Sequence, residues 1–280
     1  MLLFCLLFIA NLTGMTIRNL KGKIFVISLL RSKERRNHIK KELGEKKLNF
    51  EFFDAIDGSF LEMENDPRID YEIVKRSPNW LTNNIVGCCL SHAYCYKKVI
   101  DENLDFAIIL EDDVIIQHSN LENLISNILI NSNSGTVTLL YYQSFEKITF
   151  RKSDGINVSS GVMAFNASGL NPISTGAYLI DRESCENMFN YTMPIHTGPD
   201  CWMEFHEKGA IKHLRLLYPI PITTMDFQST VTNIEIQGKS KILKKIISWI
   251  NSYKVPILYF LLQQRRNILK KKLQNITLTE

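Results

Sequence analysis

The run KIFVISLL at residues 23–30 is apolar or β-branched at nearly every position, without the alternation that marks a half-exposed strand. Such a strand must be covered on both faces, which calls for helices above and below a largely parallel sheet. The residues that follow supply the parts. RSKERRNHIKKELGEKK carries Ile39 and Leu43 at helical spacing, with Gly44 as the expected stop. NFEFFDAIDG, residues 49–58, alternates like a second strand and ends in turn residues. Strand, helix and strand in this compass form the βαβ unit of a parallel sheet.

The alternation continues beyond a polar, irregular stretch that reaches about Asn83. NIVGCCLSHAYCYKKVIDEN reads as a helix leading into the strand FAIIL, followed by a helix near residues 121–130 and the strand TVTLLYY. A loop-rich region is expected up to Asn171. A strand around GAYLI, the helix RESCENMFN, the short segment TGPDCWMEFHEKG and the strand IKHLRLLYP complete the series. This order predicts one doubly wound α/β domain over residues 21–235, and 280 residues suffice to bury its core.

Both ends read differently. Residues 1–20 open with MLLFCLLFIA, which has no basic leader or small-x-small cleavage site and is too short to span a bilayer. Met15 stands directly before the first structured element, so it is the expected start and the preceding residues an appendage; an uncleaved anchor is the alternative. Residues 236–280 form a basic segment with no acid before Glu280, attached to a mildly acidic body. Ile242, Leu243, Ile246, Ile247 and Ile250 make a helical stripe from which Lys241, Lys244 and Lys245 are excluded. The expectation is a helix lying on an anionic membrane surface, on the cytoplasmic side; the alternative is a helix packed on its own domain. No nucleic-acid partner is expected.

The six cysteines include no CxxC pair and read as reduced core residues. Cys88, His92 and Cys95 share a helical face and could hold a metal, with simple packing as the plainer reading.

The stretch FAIILEDDVII poses the chemical question. Five apolar residues run into Glu111, Asp112 and Asp113, three like charges at the end of a strand. Ligands of open parallel sheets bind beyond the carboxyl ends of the strands. Alternation along a strand would put Glu111 and Asp113 on one side and Asp112 on the other. Carboxylates gathered there suit a hard divalent ion, Mg²⁺ or Mn²⁺, completed by water and substrate phosphates. On these residues alone a nucleotidyltransferase or a metal-dependent phosphohydrolase fits as well as a transferase, and a non-catalytic binding protein on such a scaffold is a further alternative.

Five ordered blocks narrow the choice. IFVISLLRSKERR, FEFFDAIDG, GCCLSHAYCYKKVI, AIILEDDV and STGAYLI together resemble glycosyltransferase family 25, the bacterial lipooligosaccharide galactosyltransferases and their collagen-modifying relatives. Ser28 departs from the pattern, standing where Asn is usual. The resemblance implies a GT-A-like nucleotide-sugar fold with a central, mostly parallel sheet, in which Glu-Asp-Asp serves as the metal motif. It further implies transfer of a hexose, galactose above all, from a UDP-sugar to a surface glycan such as lipooligosaccharide, carried on a lipid or lipid A core. Ser91 and His92 would line the donor pocket, although periodicity alone makes His92 a core residue.

Roles follow from the chemistry. Asp113 is the expected metal ligand and Glu111 a ligand or a ribose or water contact, while Asp112 supports them or touches the sugar. An inverting transfer needs a base for the acceptor hydroxyl. Asp200 in TGPDCWMEF is the candidate, with Trp202 as a sugar-stacking face and Glu204 as the fallback base; a helix cap is the plain reading of Asp200. Arg31 and Arg35 are expected at the nucleotide with Asp57 as a ribose acceptor, and Arg36 on a solvated surface. Ser174 to Gly176 would bring backbone close to a sugar, or form a turn.

Overall fold

The computed structural model describes residues 20–225, 264, 273 and 275–280. The N-terminal appendage with Met15, and the amphipathic stripe of the basic segment, lie outside the described residues.

The opening βαβ unit forms as its pattern requires. β1 (Gly22–Ser28) and β2 (Glu51–Asp54) pair in parallel around α1 (Lys33–Glu45). Gly44 lies within α1 rather than ending it; Leu43, on the buried face, carries the helix through. β3 (Phe106–Glu111) joins β1 in parallel after α3 (Asn83–Asp101), and a single-turn α2 (Tyr71–Val74) interrupts the irregular stretch before it.

The second half departs from simple winding. After β4 (Val114–Ile116), α4 (Leu121–Ile130) and β5 (Thr136–Gln143), the region expected to be loop is built of strands. These are β6 (Ile148–Arg151), β7 (Ile156–Ser159) and β8 (Val162–Asn166). These strands are only four or five residues long, too short for a period to stand out, so the sequence signal is weak there. β9 (Ile173–Asp181), α5 (Arg182–Thr192), α6 (Trp202–Glu207), β10 (His213–Tyr218) and β11 (Ile222–Thr224) follow. The main sheet runs β2-β1-β3-β9-β5-β10-β8-β7. Six of its eight strands share one direction, so it is mostly parallel as expected; β8 and β9 oppose the rest. β9 sits between β3 and β5, antiparallel to both.

The side-chain period of two divides the core cleanly. Phe25, Ile27, Ala107 and Ile109 pack with Tyr96, Val99 and Cys185 on the face covered by α3 and α5. Ile24, Val26, Ile108 and Leu110 pack with Ile39, Leu43, Leu124 and Ile128 on the face covered by α1 and α4. Each such side chain, fully buried, contributes about 1.5–3 kcal/mol, which is why the apolar runs cannot sit at an edge. The irregular stretch covers the outside of α3, placing Ile69, Val74 and Leu81 against Val86 and Leu90.

The end of the basic segment is not helical. Ile276–Thr279 forms β12, which pairs in parallel with β6. No helix among the described residues is long and apolar enough to cross a membrane.

Two glycines fix how α3 meets the turn after β2. A side chain at Gly87 would stand 2.8 Å from the Gly58 amide nitrogen and the Ile56 carbonyl oxygen, and one at Gly58 would stand 2.1 Å from the Asn83 carbonyl oxygen. Gly44, by contrast, has open space around it. Gly87→Ala is therefore expected to lower stability by about 1–3 kcal/mol, backbone being unable to yield cheaply. Gly44→Ala should raise it by up to about 1 kcal/mol. Urea denaturation midpoints of the two variants test this, and a Gly87→Ala protein as stable as the parent would contradict the packing.

Candidate active site

Parallel strands β1, β2 and β3 end at the same edge, and an open cleft with a cavity volume of about 80 Å³ lies there. Its walls include Ser28, Arg31, Arg35, Asp57, Asn84, Cys88, Ser91, His92, Glu111 and Asp112. The sequence-derived nucleotide residues are thus brought together, though several are already engaged. Asp57 receives Arg31 on one side and the Ser59 amide and hydroxyl on the other. The Arg31 guanidinium beside it, the largest influence, holds the Asp57 carboxyl well below the usual range. The buried Ser91 hydroxyl accepts from the Ile56 amide at 2.9 Å and donates to the Gly87 carbonyl at 2.6 Å, so it clamps the cleft wall.

The three acids divide between the two faces, but not as alternation predicts. Glu111, the last residue of β3, keeps the parity of Ala107 and Ile109 and turns toward α3, where Thr175 donates to it at 2.6 Å. Asp112 turns toward α1, accepting from Ser28 Oγ at 2.5 Å and pairing with Arg35 Nε at 2.6 Å. Asp113 also meets Arg35, at 2.9 Å from Nη2, and so lies with Asp112 rather than with Glu111. The strand ends at Glu111 and the chain turns, so the period of two no longer applies. Ser28, at the end of β1, provides the hydrogen bond to Asp112. Arg36 is not a solvated surface group. It donates to the Ser28 and Leu29 carbonyls and stacks 4.6 Å over the Phe52 ring, because β1 ends beside it with carbonyls left to satisfy.

Glu111 has no ion-pair partner among the described residues. Burial first, then repulsion from Asp113, pushes its carboxyl up to about 7 from 4.5, against the pull of Thr175 and Arg35. Three carboxylates facing one guanidinium leave negative charge uncompensated, and their oxygens are the donors a hard divalent ion takes. Cys95 does not join Cys88 and His92. Seven residues along the helix it is about 10 Å further up the axis, inside the core. Glu111 takes its place: Cys88, His92 and Glu111 each offer one ligand atom within 4.8 Å of the others.

His92 is both pocket wall and core residue, with 2% exposure. Its Nδ1 lies 2.7 Å from the Tyr178 hydroxyl, which donates to Tyr96, so Nδ1 carries the proton and Nε2 a lone pair. Nε2 is buried with no hydrogen-bond partner. Burial lowers the pKa to about 3, so the ring stays neutral and can accept at Nε2.

Asp200 does not cap α6. Cys201 is the cap residue, without a side-chain hydrogen bond, and Asp200 instead accepts from the Ser174 amide at 3.0 Å. Burial raises its carboxyl above the usual range despite that bond. Trp202 is fully buried and donates through Nε1 to the Ser174 carbonyl at 2.9 Å, so it cannot stack on a sugar; it holds β9 in place. Glu204 accepts from Tyr191 at 2.8 Å and Thr197 at 3.0 Å, which ties it to the loop before Asp200. Ser174 to Gly176 is strand, not turn. Ser174 has φ of 90°, a conformation costly for a side chain and held by its Asp200 and Trp202 contacts. A side chain at Gly176 would meet Tyr141 at 2.8 Å, so the close approach there is to an aromatic ring.

Consecutive residues of β9 therefore hold the two acids that face the α3 side: Ser174 binds Asp200 and Thr175 binds Glu111. The Cys88 thiol faces both, and burial, then these charges, push its pKa well above the usual range.

A sequence model of glycosyltransferase family 25 (LPS biosynthesis protein) matches residues 21–203. A putative glycosyltransferase of Haemophilus influenzae is 28% identical over 138 residues, 49% of this chain and 47% of that protein. Human procollagen galactosyltransferase 2 is 33% identical over 114 residues, 38% of this chain and 18% of that protein. The lipooligosaccharide biosynthesis protein lic2B of Haemophilus influenzae is 35% identical over 96 residues, 33% of this chain and 34% of that protein. The chain thus spans less than half the length of each.

The raised Glu111 carboxyl gives a pH signature. A folded pKa above the unfolded one means that the folded state binds more protons. The stabilisation is fully present below about pH 4.5 and is lost as pH rises toward 7. Arg35, Asp112 and Asp113, which also face this group, are common to wild type and variant. Without added metal, wild type should therefore lose stability relative to Glu111→Gln over that interval, by at most about 1.4 kcal/mol per pH unit. Urea midpoints across the interval read the difference, and a constant difference would count against the buried, unpaired carboxyl.

Proposed function

The chain belongs to glycosyltransferase family 25, and from that premise we propose that it is an inverting hexosyltransferase. It moves galactose from UDP-galactose to lipooligosaccharide, lipopolysaccharide or a related surface glycan held on a lipid. Galactose and the glycan class are drawn from the names of procollagen galactosyltransferase 2 and lic2B. The observation that carries the mechanism is that adjacent residues of β9 hold Glu111, which lines the cleft with Arg31, Arg35 and Asp57, and Asp200 beside it, through Thr175 and Ser174.

Arg31 and Arg35 bind the anionic part of the donor, with Asp57 at the ribose. Asp112 keeps Arg35 oriented through its 2.6 Å contact. Ser91 fixes the wall, and His92 Nε2 accepts a donor hydroxyl. Glu111, joined by Asp113 once that carboxylate turns away from Arg35, would hold a divalent ion, Mn²⁺ or Mg²⁺, whose Lewis acidity would neutralise the departing diphosphate. Asp200 takes the proton from the acceptor hydroxyl as it attacks the anomeric carbon from the face opposite the leaving group. A raised carboxyl is the better base, and burial preserves its strength. Glu204 orients the loop that carries Asp200 and is the fallback base.

Incubation with UDP-hexoses, Mn²⁺ and isolated surface glycan, read by mass spectrometry, tests the reaction, and proton NMR of the new linkage tests inversion. Asp200→Asn should slow transfer by about 10²–10⁴-fold, with UDP binding retained. An unimpaired Asp200→Asn enzyme would remove the residue from this role.

We also propose that residues 21–235 are the transferase unit, residues 1–20 an appendage, and residues 236–280 a basic segment that contacts an anionic membrane at the cytoplasmic face. Cutting the chain after Glu235 would also delete β12 and uncover β6, so charge removal is the cleaner probe. Lys241, Lys244 and Lys245 replaced by Gln should weaken binding to phosphatidylglycerol vesicles at low salt, at about 1 kcal/mol per lysine. Cosedimentation equal to that of the parent would contradict the membrane contact.

A further inference from the structure

An acceptor sugar must lie between the donor cleft and Asp200, and Trp202, which the sequence offered as its platform, is buried at 0% exposure. Another indole stands nearby. Trp80 precedes the buried Leu81 and the Thr82 cap of α3, the helix whose Asn84 and Cys88 line the cleft. It also reaches the loop of the proposed base. A side chain at Gly198, two residues before Asp200, would come within 3.3 Å of Trp80 Cζ2 and Nε1. Trp80 therefore spans the gap from the head of α3 to the Asp200 loop, with part of the ring against the Gly198 backbone. Even so it is 46% exposed. Leaving that much indole in water forgoes hydrophobic stabilisation.

We propose that Trp80 is the platform for the acceptor sugar. A pyranose with a continuous face of C–H bonds would stack on the indole, whose negative face attracts those weakly positive hydrogens. Its nucleophilic hydroxyl would then point toward Asp200. The absent side chain at Gly198 gives the ring its seat, and that backbone contact holds the ring before the sugar arrives, which limits the entropy lost on binding. The inference rests on the transferase reading above and adds to it the group that recognises the acceptor.

The test uses the full chain with UDP-galactose, Mn²⁺ and core oligosaccharide released from lipooligosaccharide. Trp80→Ala should raise the acceptor KM by about 10- to 100-fold, the worth of one apolar contact in a sugar site, while the KM for UDP-galactose stays within about threefold. Trp80→Phe, which keeps an aromatic face, should recover most of the loss. Added oligosaccharide should quench tryptophan fluorescence in the parent and not in Trp80→Phe. An acceptor KM unmoved in Trp80→Ala, or a fall in kcat alone, would overturn the proposal and leave Trp80 as a clamp for the Asp200 loop. Transfer of no hexose by the parent from any of a panel of UDP-hexoses would overturn the transferase reading and this proposal with it, whereas transfer with an unmoved acceptor KM overturns Trp80 alone.

Discussion

Three carboxylates share the end of one buried strand with a single guanidinium. Arg35 spans Asp112 and Asp113, and the Ser28 hydroxyl completes Asp112, so the α1 side of the strand end is satisfied. Glu111 is left on the opposite face, in a region too apolar to hold its charge cheaply. A fold selected for stability alone would place a neutral residue there, because an unpaired buried charge is a recurrent cause of large destabilisation. The excess negative charge is the physical basis on which a cationic partner is proposed at this edge of the sheet.

The antiparallel strand β9 makes that edge into a site. In an all-parallel sheet the neighbour of β3 would present its own carboxyl end beside Glu111. Because β9 runs the other way, it presents its beginning there, and Ser174 and Thr175 face the acids with an amide and a hydroxyl. Trp202 braces the same strand through the Ser174 carbonyl, and Tyr191 and Thr197 brace the loop through Glu204. The residues nearest the chemistry are therefore mostly held by their neighbours, and the positive φ of Ser174 is kept by two of these contacts.

On the other wall, close backbone contact does the positioning. Gly58 and Gly87 let the turn after β2 lie directly on α3, and Ser91 ties the two together. This brings Asp57, and with it Arg31 from the loop after β1, beside Cys88 and His92 of α3. Below them Tyr96, Tyr178 and His92 form a buried chain of hydrogen bonds that fixes the imidazole tautomer.

The sequence by itself determined the βαβ opening, the helices over residues 83–101 and 121–130, and the two-faced burial of β1 and β3, because all of these are local periodicities. It also marked the acidic trio and Asp200, since charges amid apolar residues stand out in one dimension. The direction of β9 and the strands between residues 148 and 166 needed the folded chain, for a strand's pattern is the same whichever way it runs. So did the sidedness of Asp113, where a turn ends the alternation, and the burial of Trp202 rather than Trp80. Which indole meets water, and which acid meets Arg35, depends on contacts between residues far apart in the chain, and only tertiary packing decides them.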